Sequence, residues 1–246
     1  MYINFHNFIA FIHVFLCVFA IGGDIAVHYI GQYLTRDELS LEERMRVRHM
    51  RFIVDMSART ALVLLLPLGF TLAQAYGSPI SGNWLGLVWL SAILWLVLVW
   101  LVHFQKGTPR GESLRKLDIW VRYLIMISMG SFGAYCLITD GPISSNWLAI
   151  KIMLFAAILL NGVWIRQIAG NWPEAFDLVK AGGESAVRGE ILIKELQKRT
   201  NRAAFCIWCL VVFIFLTKHF LKSSPLPPSN KVSSAHAFIQ PLGSFP

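Results

Sequence analysis

The stretch from 55 to 105 decides the fold of this chain, and it reads DMSARTALVLLLPLGFTLAQAYGSPISGNWLGLVWLSAILWLVLVWLVHFQ. A second copy at 118–168 reads DIWVRYLIMISMGSFGAYCLITDGPISSNWLAIKIMLFAAILLNGVWIRQI. Each copy predicts a long apolar helix that opens with Asp-x-x-x-Arg, a tight Pro-Ile-Ser turn, and a second apolar helix that starts at Asn-Trp. The unit is a transmembrane helical hairpin in tandem, and internal repeats of this kind commonly build membrane bundles. The matching positions are Asp55 with Asp118, Arg59 with Arg122, Pro79-Ile80-Ser81 with Pro142-Ile143-Ser144, and Asn83-Trp84-Leu85 with Asn146-Trp147-Leu148.

The composition points to a membrane protein. The chain has 246 residues, of which 56% are hydrophobic and 15% are charged, which is too apolar for an ordinary soluble domain. Its length leaves room for about six spans. The fold class predicted is an all-α polytopic transmembrane helical bundle. The net charge of +8 does not indicate nucleic acid as a partner, because the Lys and Arg residues lie in alternate loops between apolar runs.

The predicted transmembrane bundle occupies 1–222 as one domain. Charged and apolar residues alternate at 184–202, which predicts an interfacial amphipathic helix before the last span. The residues at 223–246 are rich in Ser and Pro and predict an extended or disordered C-terminal tail. The predicted spans are 7–34, 52–76, 84–104, 118–139, 147–168 and 203–221, with a short charged segment at 35–51 between the first two.

The loop charges predict the orientation. Loops one, three and five carry nearly all the Lys and Arg, whereas the turns after helices 2 and 4 carry none. Basic loops face the cytoplasm, so both chain ends are placed outside. For a bacterial source this means the inner membrane, with both termini periplasmic. The expected partners are the lipid bilayer and either further membrane subunits or a second copy of the chain.

Two polar side chains lie at matched depth near the outer surface. His13 is about six residues below the outer end of helix 1, and Lys151 is about five residues below the start of helix 5, so both lie roughly 8 Å beneath that surface. In the first repeat the position of Lys151 is occupied by Val88. His6 stands one heptad before His13 and shares its face. A polar side chain at membrane depth is costly unless it is paired, so each indicates a functional position.

A second polar layer lies near the inner surface. Each Asp-x-x-x-Arg pair predicts an intrahelical ion pair that lowers the cost of burying either charge. We interpret the duplicated pairs as architectural, joining helices 2 and 4. Asp24 directly follows Gly22-Gly23, where a neighbouring helix or a flat cofactor can approach closely. The residues of this layer are Asp24, His28, Asp55, Arg59, His103, Asp118 and Arg122.

The histidines provide candidate haem ligands. Two histidines at matched depth on different helices can ligate a haem iron within a bundle. His28 and His103 satisfy this condition on the inner side. On the outer side His13 is available, with His6 or Lys151 as the second ligand.

The residues resemble a known family. A first helix with His13 that ends in Gly22-Gly23, paired spans that open with Arg, and the helix start from Trp147 to Lys151 are similar to the copper-resistance protein D superfamily. They also resemble the HemJ-type protoporphyrinogen oxidases and their relatives. The resemblance covers most of helices 1 to 6. It implies a bundle that binds haem b, with His13 and Lys151 as functional positions. No Met- or His-rich outer loop accompanies it, which argues against copper transport.

The leading functional hypothesis is an integral membrane protein of cytochrome b type that takes part in electron transfer or membrane redox chemistry. His13 ligates the haem iron, and Lys151 ligates it or neutralises a propionate. Electrons pass between a quinone or porphyrin donor in the bilayer and a partner subunit, so the protein is an oxidoreductase or a subunit of one. Two alternatives stay open: a cofactor-free accessory subunit of a larger membrane complex, and a small-solute or ion permease built on Asp24 and the Asp/Arg pairs.

Overall fold

A computed structural model describes residues 4–139, 141–143 and 145–221, and across these residues the protein is helical with no strand. Six helices are long and apolar enough to cross a membrane. The predicted all-α bundle with about six spans is confirmed, and its apolar helices are those of an integral membrane protein in contact with a lipid bilayer.

Seven α-helices and one short 3-10 helix make up the described chain. Helices α3 and α5 both begin at the Asn of the repeated Asn-Trp-Leu motif. The helices are α1 (Phe5–Tyr33), α2 (Leu41–Ala73), the 3-10 helix (Gln74–Tyr76), α3 (Asn83–Phe104), α4 (Pro109–Ile138), α5 (Asn146–Gly170), α6 (Trp172–Ala181) and α7 (Gly183–Leu221).

The six long helices close into a ring. Helix α1 packs against α2 and α7, α3 packs between α2 and α4, and α5 packs between α4 and α7. One apolar core cluster joins α2, α4 and α5. There, Phe70 of α2, Met129 and Cys136 of α4, and Ala149 and Ala156 of α5 are buried in one cluster.

Helix α2 begins at Leu41, well before the predicted start at 52. Ser40 caps it: the Ser40 backbone N–H donates to Glu43 at 2.8 Å, and the Glu43 N–H donates back to the Ser40 hydroxyl at 3.3 Å. This capping box fixes the helix start inside the segment interpreted as a charged connection. Arg44, on the first turn, then reaches across to Glu190 of α7 at 2.7 Å. Most of 35–51 is therefore a helical extension of α2 that is tied to α7.

The region after α5 differs most from its prediction. The amphipathic segment at 184–202 and the last span at 203–221 form one continuous helix, α7, and a further short helix, α6, precedes it. Ile193 and Leu196 of α7 are buried against Trp172 and Phe176 of α6. This packing covers part of the apolar face of the segment, whereas Val187 and Ile191 remain 62% exposed. The predicted tail at 223–246 lies outside the described residues.

Candidate functional site

A cavity of about 610 Å³ runs inside the ring. This volume is within the range of small-molecule and cofactor sites. Its lining comes from α1, α2, α4, α5 and α7, with Tyr76 of the 3-10 helix. From His13 to His28 along α1 it extends over roughly 20 Å, at about 1.5 Å per residue. Apolar side chains line its middle, and polar side chains collect at two ends.

The histidine end is the part of the cavity lined by His6, His13 and Lys151. The His13 ring lies against α2, since a β-carbon built on Gly69 would be 3.6 Å from its Cε1 atom. The Nδ1 atom of His13 is buried and has no hydrogen-bond partner among the described residues. A bound ligand or metal can supply the missing partner of such an imidazole nitrogen.

Lys151 lies at the same end of the cavity as His13. Its Nζ atom is 5.4 Å from the centroid of the Trp147 ring, which in turn meets Tyr76 edge-to-face at 4.9 Å. The ammonium is within electrostatic reach of His13 and Cys17. The structure thus brings the two residues of the predicted outer layer into one cavity.

The arginine end is the opposite part of the cavity. It is lined by Asp24, His28, Arg51, Asp55, Arg59, Arg122 and Arg166. Arg59 forms an ion pair with Asp55 on its own helix. Four guanidinium groups and two carboxylates therefore face the cavity here.

Asp118 lies behind the wall of the arginine end. It is fully buried and accepts hydrogen bonds from Trp95 Nε1 at 3.0 Å, from Arg122 Nε at 3.1 Å, and from Arg166 Nη1. These donors belong to α3, α4 and α5, so the carboxylate joins three helices. We had expected the duplicated pairs to join helices 2 and 4, whereas the partners of Asp118 outside α4 come from α3 and α5.

Asp24 connects α1 to α7. Its Oδ2 atom accepts a hydrogen bond from Trp208 Nε1 at 3.0 Å. The adjacent Gly23 lies at a close helix crossing, because a β-carbon there would be 3.0 Å from Cβ of Ala58 on α2. The glycine therefore admits a neighbouring helix, which is one of the two roles expected for the Gly22-Gly23 step.

The two inner histidines are not brought to one site. His28 lines the arginine end, where its Nε2 atom is 3.2 Å from Gln32 Nε2 and its ring meets Trp208 edge-to-face at 5.1 Å. His103 stacks on Phe52, with ring centroids 4.7 Å apart, and does not line the cavity. The alternative pair of haem ligands thus has one member inside the cavity and one outside it.

A lysine three residues after His103 contacts the Phe52 ring on which His103 stacks. Lys106, in the loop before α4, lies 4.1 Å from the centroid of the Phe52 ring. Partial burial lowers the pKa of Lys106, and the nearby positive charges of Arg48 and Arg59 lower it further.

Sequence reasoning missed two arginines of the arginine end. Arg166 occupies the position of His103 in the second copy, so an inspection of that repeat position would have found it. The sequence predicts that Arg51 lies in the charged segment before helix 2. In the structure α2 begins at Leu41, and Arg51 is the last residue of α2 before the predicted span at 52–76. Its guanidinium lies 5.4 Å from the Trp172 ring centroid.

The chain matches no family model, no curated protein and no solved structure. Its chemistry is therefore judged from its own geometry. No group of three or more His, Cys, Asp or Glu side chains within the described ranges can hold a metal ion. A metal at the histidine end would have to bring most of its own ligands, as the iron of a haem does.

Proposed function

We propose that this protein is an integral membrane protein that binds a b-type haem and takes part in membrane redox chemistry. His13 is the proposed iron ligand, and Lys151 is the proposed second ligand or the partner of a propionate. One observation carries the proposal: His13 and Lys151 line the same cavity, and Nδ1 of His13 lacks a partner.

The surroundings suit a flat, apolar group with acidic substituents. The middle of the cavity is lined by apolar side chains, among them Leu62, Leu66, Phe155 and Val211. These residues would exclude water from a macrocycle, and Lys151 would neutralise a carboxylate at its edge. A bound haem supplies one-electron chemistry, and the protein tunes it through the axial ligand and the dryness of the site.

We place the protein in a bacterial inner membrane. The basic loops face the cytoplasm of a bacterial inner membrane, and both chain ends are periplasmic. Electrons pass between a quinone or porphyrin donor in the bilayer and a partner membrane subunit, which is another protein or a second copy of this chain. Nucleic acid is not a proposed partner.

The experiment measures haem in protein purified in detergent, by pyridine haemochrome analysis per mole of chain. We expect His13→Ala to lose most of the haem, because the proposed ligand is removed. His103→Ala is the matched control, since it removes a histidine outside the cavity, and it should keep the wild-type content. Haem retention by His13→Ala together with haem loss by His103→Ala would contradict the assignment and favour the inner pair.

Two alternatives stand as predictions. A small-solute or ion permease is supported by Asp24 and Asp55, which line the cavity at membrane depth. A cofactor-free accessory subunit would co-purify with other subunits and keep its activity after His13→Ala. The position of His13 and Lys151 on one cavity favours the haem protein over both, since a buried Nδ1 atom without a hydrogen-bond partner is shared by His13, His28 and His103.

A further inference from the structure

The arginine end holds a surplus of positive charge. Arg51, Arg59, Arg122 and Arg166 face the cavity there, together with the carboxylates of Asp24 and Asp55. Even with the buried Asp118 included, four cations meet three anions. A charge without a counter-charge is costly in surroundings of low polarity, so a bundle that keeps this surplus gains by binding an anion.

The arginines are also close to one another. The charge of Arg166 experiences repulsion from both Arg59 and Arg122. Asp118 offsets part of this repulsion, but it already accepts hydrogen bonds from Arg122, Arg166 and Trp95. Arg51 and Arg59 line the same end of the cavity, where Arg59 is paired with Asp55.

Arg122 provides a second, independent indication. It is 3% exposed, it lines the cavity, and its Nη2 atom is buried with no hydrogen-bond partner among the described residues. A buried N–H donor without a partner destabilises the folded protein, and it does so more when the group is charged. The guanidinium lies 5.1 Å from the Trp95 ring centroid, and it has to turn toward the cavity for an oxyanion to accept this hydrogen bond.

We infer that the arginine end is a binding site for an oxyanion, a phosphate or a carboxylate, held by Arg51, Arg59, Arg122 and Arg166. The planar guanidinium fork matches both groups and binds them through paired N–H donors. The site takes only the charged group, because the apolar middle of the cavity is the proposed place of the haem. The site stands apart from haem binding, because none of its residues is a proposed iron ligand.

The test uses full-length protein, stripped of lipid in an uncharged detergent, and follows its thermal unfolding. The probes are dihexanoyl phosphatidic acid, dihexanoyl phosphatidylcholine and sodium phosphate. We expect a saturable rise in Tm of a few degrees with an anionic probe, because a ligand that binds only the folded state stabilises it. A rise with phosphatidic acid alone identifies a lipid head group as the ligand, and a rise with inorganic phosphate as well identifies a free oxyanion.

Three variants decide which residues bind. Arg59→Gln and Arg51→Gln should each weaken the apparent affinity about tenfold, the effect of losing one hydrogen bond to a charged group. Arg46→Gln is the matched control on the same helix, since its side chain is 72% exposed and pairs with Glu42, and it should respond as wild type. Because Arg51 belongs to neither Asp-x-x-x-Arg pair, its variant keeps the test valid if Arg59→Gln fails to fold.

Anion binding at the arginine end can be tested separately from haem binding. His13→Ala should keep the full response to the anionic probe, whatever its haem content. The inference is overturned if no anionic probe gives a saturable rise in the wild type, if phosphatidylcholine acts as strongly, or if both cavity variants respond as the wild type does.

Discussion

The Asp55–Arg59 pair of α2 and the Asp118–Arg122 pair of α4 share one spacing but lie in different surroundings. Asp118 is fully buried and serves three donors from three helices. The side chains of Asp55 and Arg59 are 26% and 24% exposed, and both line the cavity. The aspartate of the motif therefore joins three helices in one copy and faces the cavity in the other.

The difference lies in the donors that reach each aspartate from other helices. In the second copy Arg166 reaches Asp118 from α5. In the first copy the same repeat position is His103, which stacks on Phe52. Helix α3 adds to the asymmetry, because it lies between α2 and α4 and directs Trp95 to Asp118. Asp118 thus has donors from α3 and α5, whereas Asp55 pairs with Arg59 at the cavity.

The largest effect is expected from Asp118→Asn. Removal of the carboxylate leaves Arg122 and Arg166 buried beside each other without their counter-charge. Breaking a buried ion pair in this way costs about 3 to 5 kcal/mol. We expect a large fall in Tm and in the yield of monodisperse protein, measured by thermal unfolding and size-exclusion chromatography in detergent. A variant as stable as wild type would show that Asp118 is not the junction.

A smaller effect is expected from Trp95→Phe, which keeps the aromatic ring and removes the indole donor to Asp118. A hydrogen bond to a charged group contributes about 1.5 to 3 kcal/mol. The variant should melt between wild type and Asp118→Asn. Trp89→Phe is the matched control, since its indole donates at 3.1 Å to the neutral hydroxyl of Thr71. If both variants lose the same stability, the hydrogen bond from Trp95 to the charged Asp118 contributes no more than the hydrogen bond from Trp89 to the neutral Thr71.

The smallest effect on stability is expected from Asp55→Asn. Its ion pair is partly exposed to the cavity, and such a pair contributes less than a fully buried one. The variant should fold and should increase the positive surplus at the arginine end, so phosphatidic acid should bind it at least as tightly as it binds wild type. Equal destabilisation by Asp55→Asn and Asp118→Asn, measured by thermal unfolding, would remove the distinction between the two copies.

Much of the fold could be predicted because hydrocarbon restricts the chain to apolar helices of known length. Depth counting placed His13 and Lys151 at one level, and the structure places both on one cavity. Helix boundaries outside the bilayer were less predictable, because water tolerates helix and loop alike there. Hence the early start of α2 at Leu41 depended on the Ser40 cap and on Arg44 reaching α7.

The composition of the arginine end could not be predicted from spacing alone. Depth placed His28 and His103 together, but depth does not give the direction in which a helix face points within the ring. His103 points to Phe52, and Arg166, which the sequence analysis did not single out, points to Asp118. Packing against neighbouring helices sets the rotation of each helix about its axis. That rotation becomes known only when all six helices of the ring are in place.

The central claim is that the cavity between His13 and Lys151 holds a haem. The most direct measurement is the absorbance spectrum of the purified wild-type protein in its oxidised and dithionite-reduced states. The account predicts a Soret band that shifts on reduction, together with the α and β bands of a b-type haem. A wild-type protein that shows no Soret band in either state would contradict the claim.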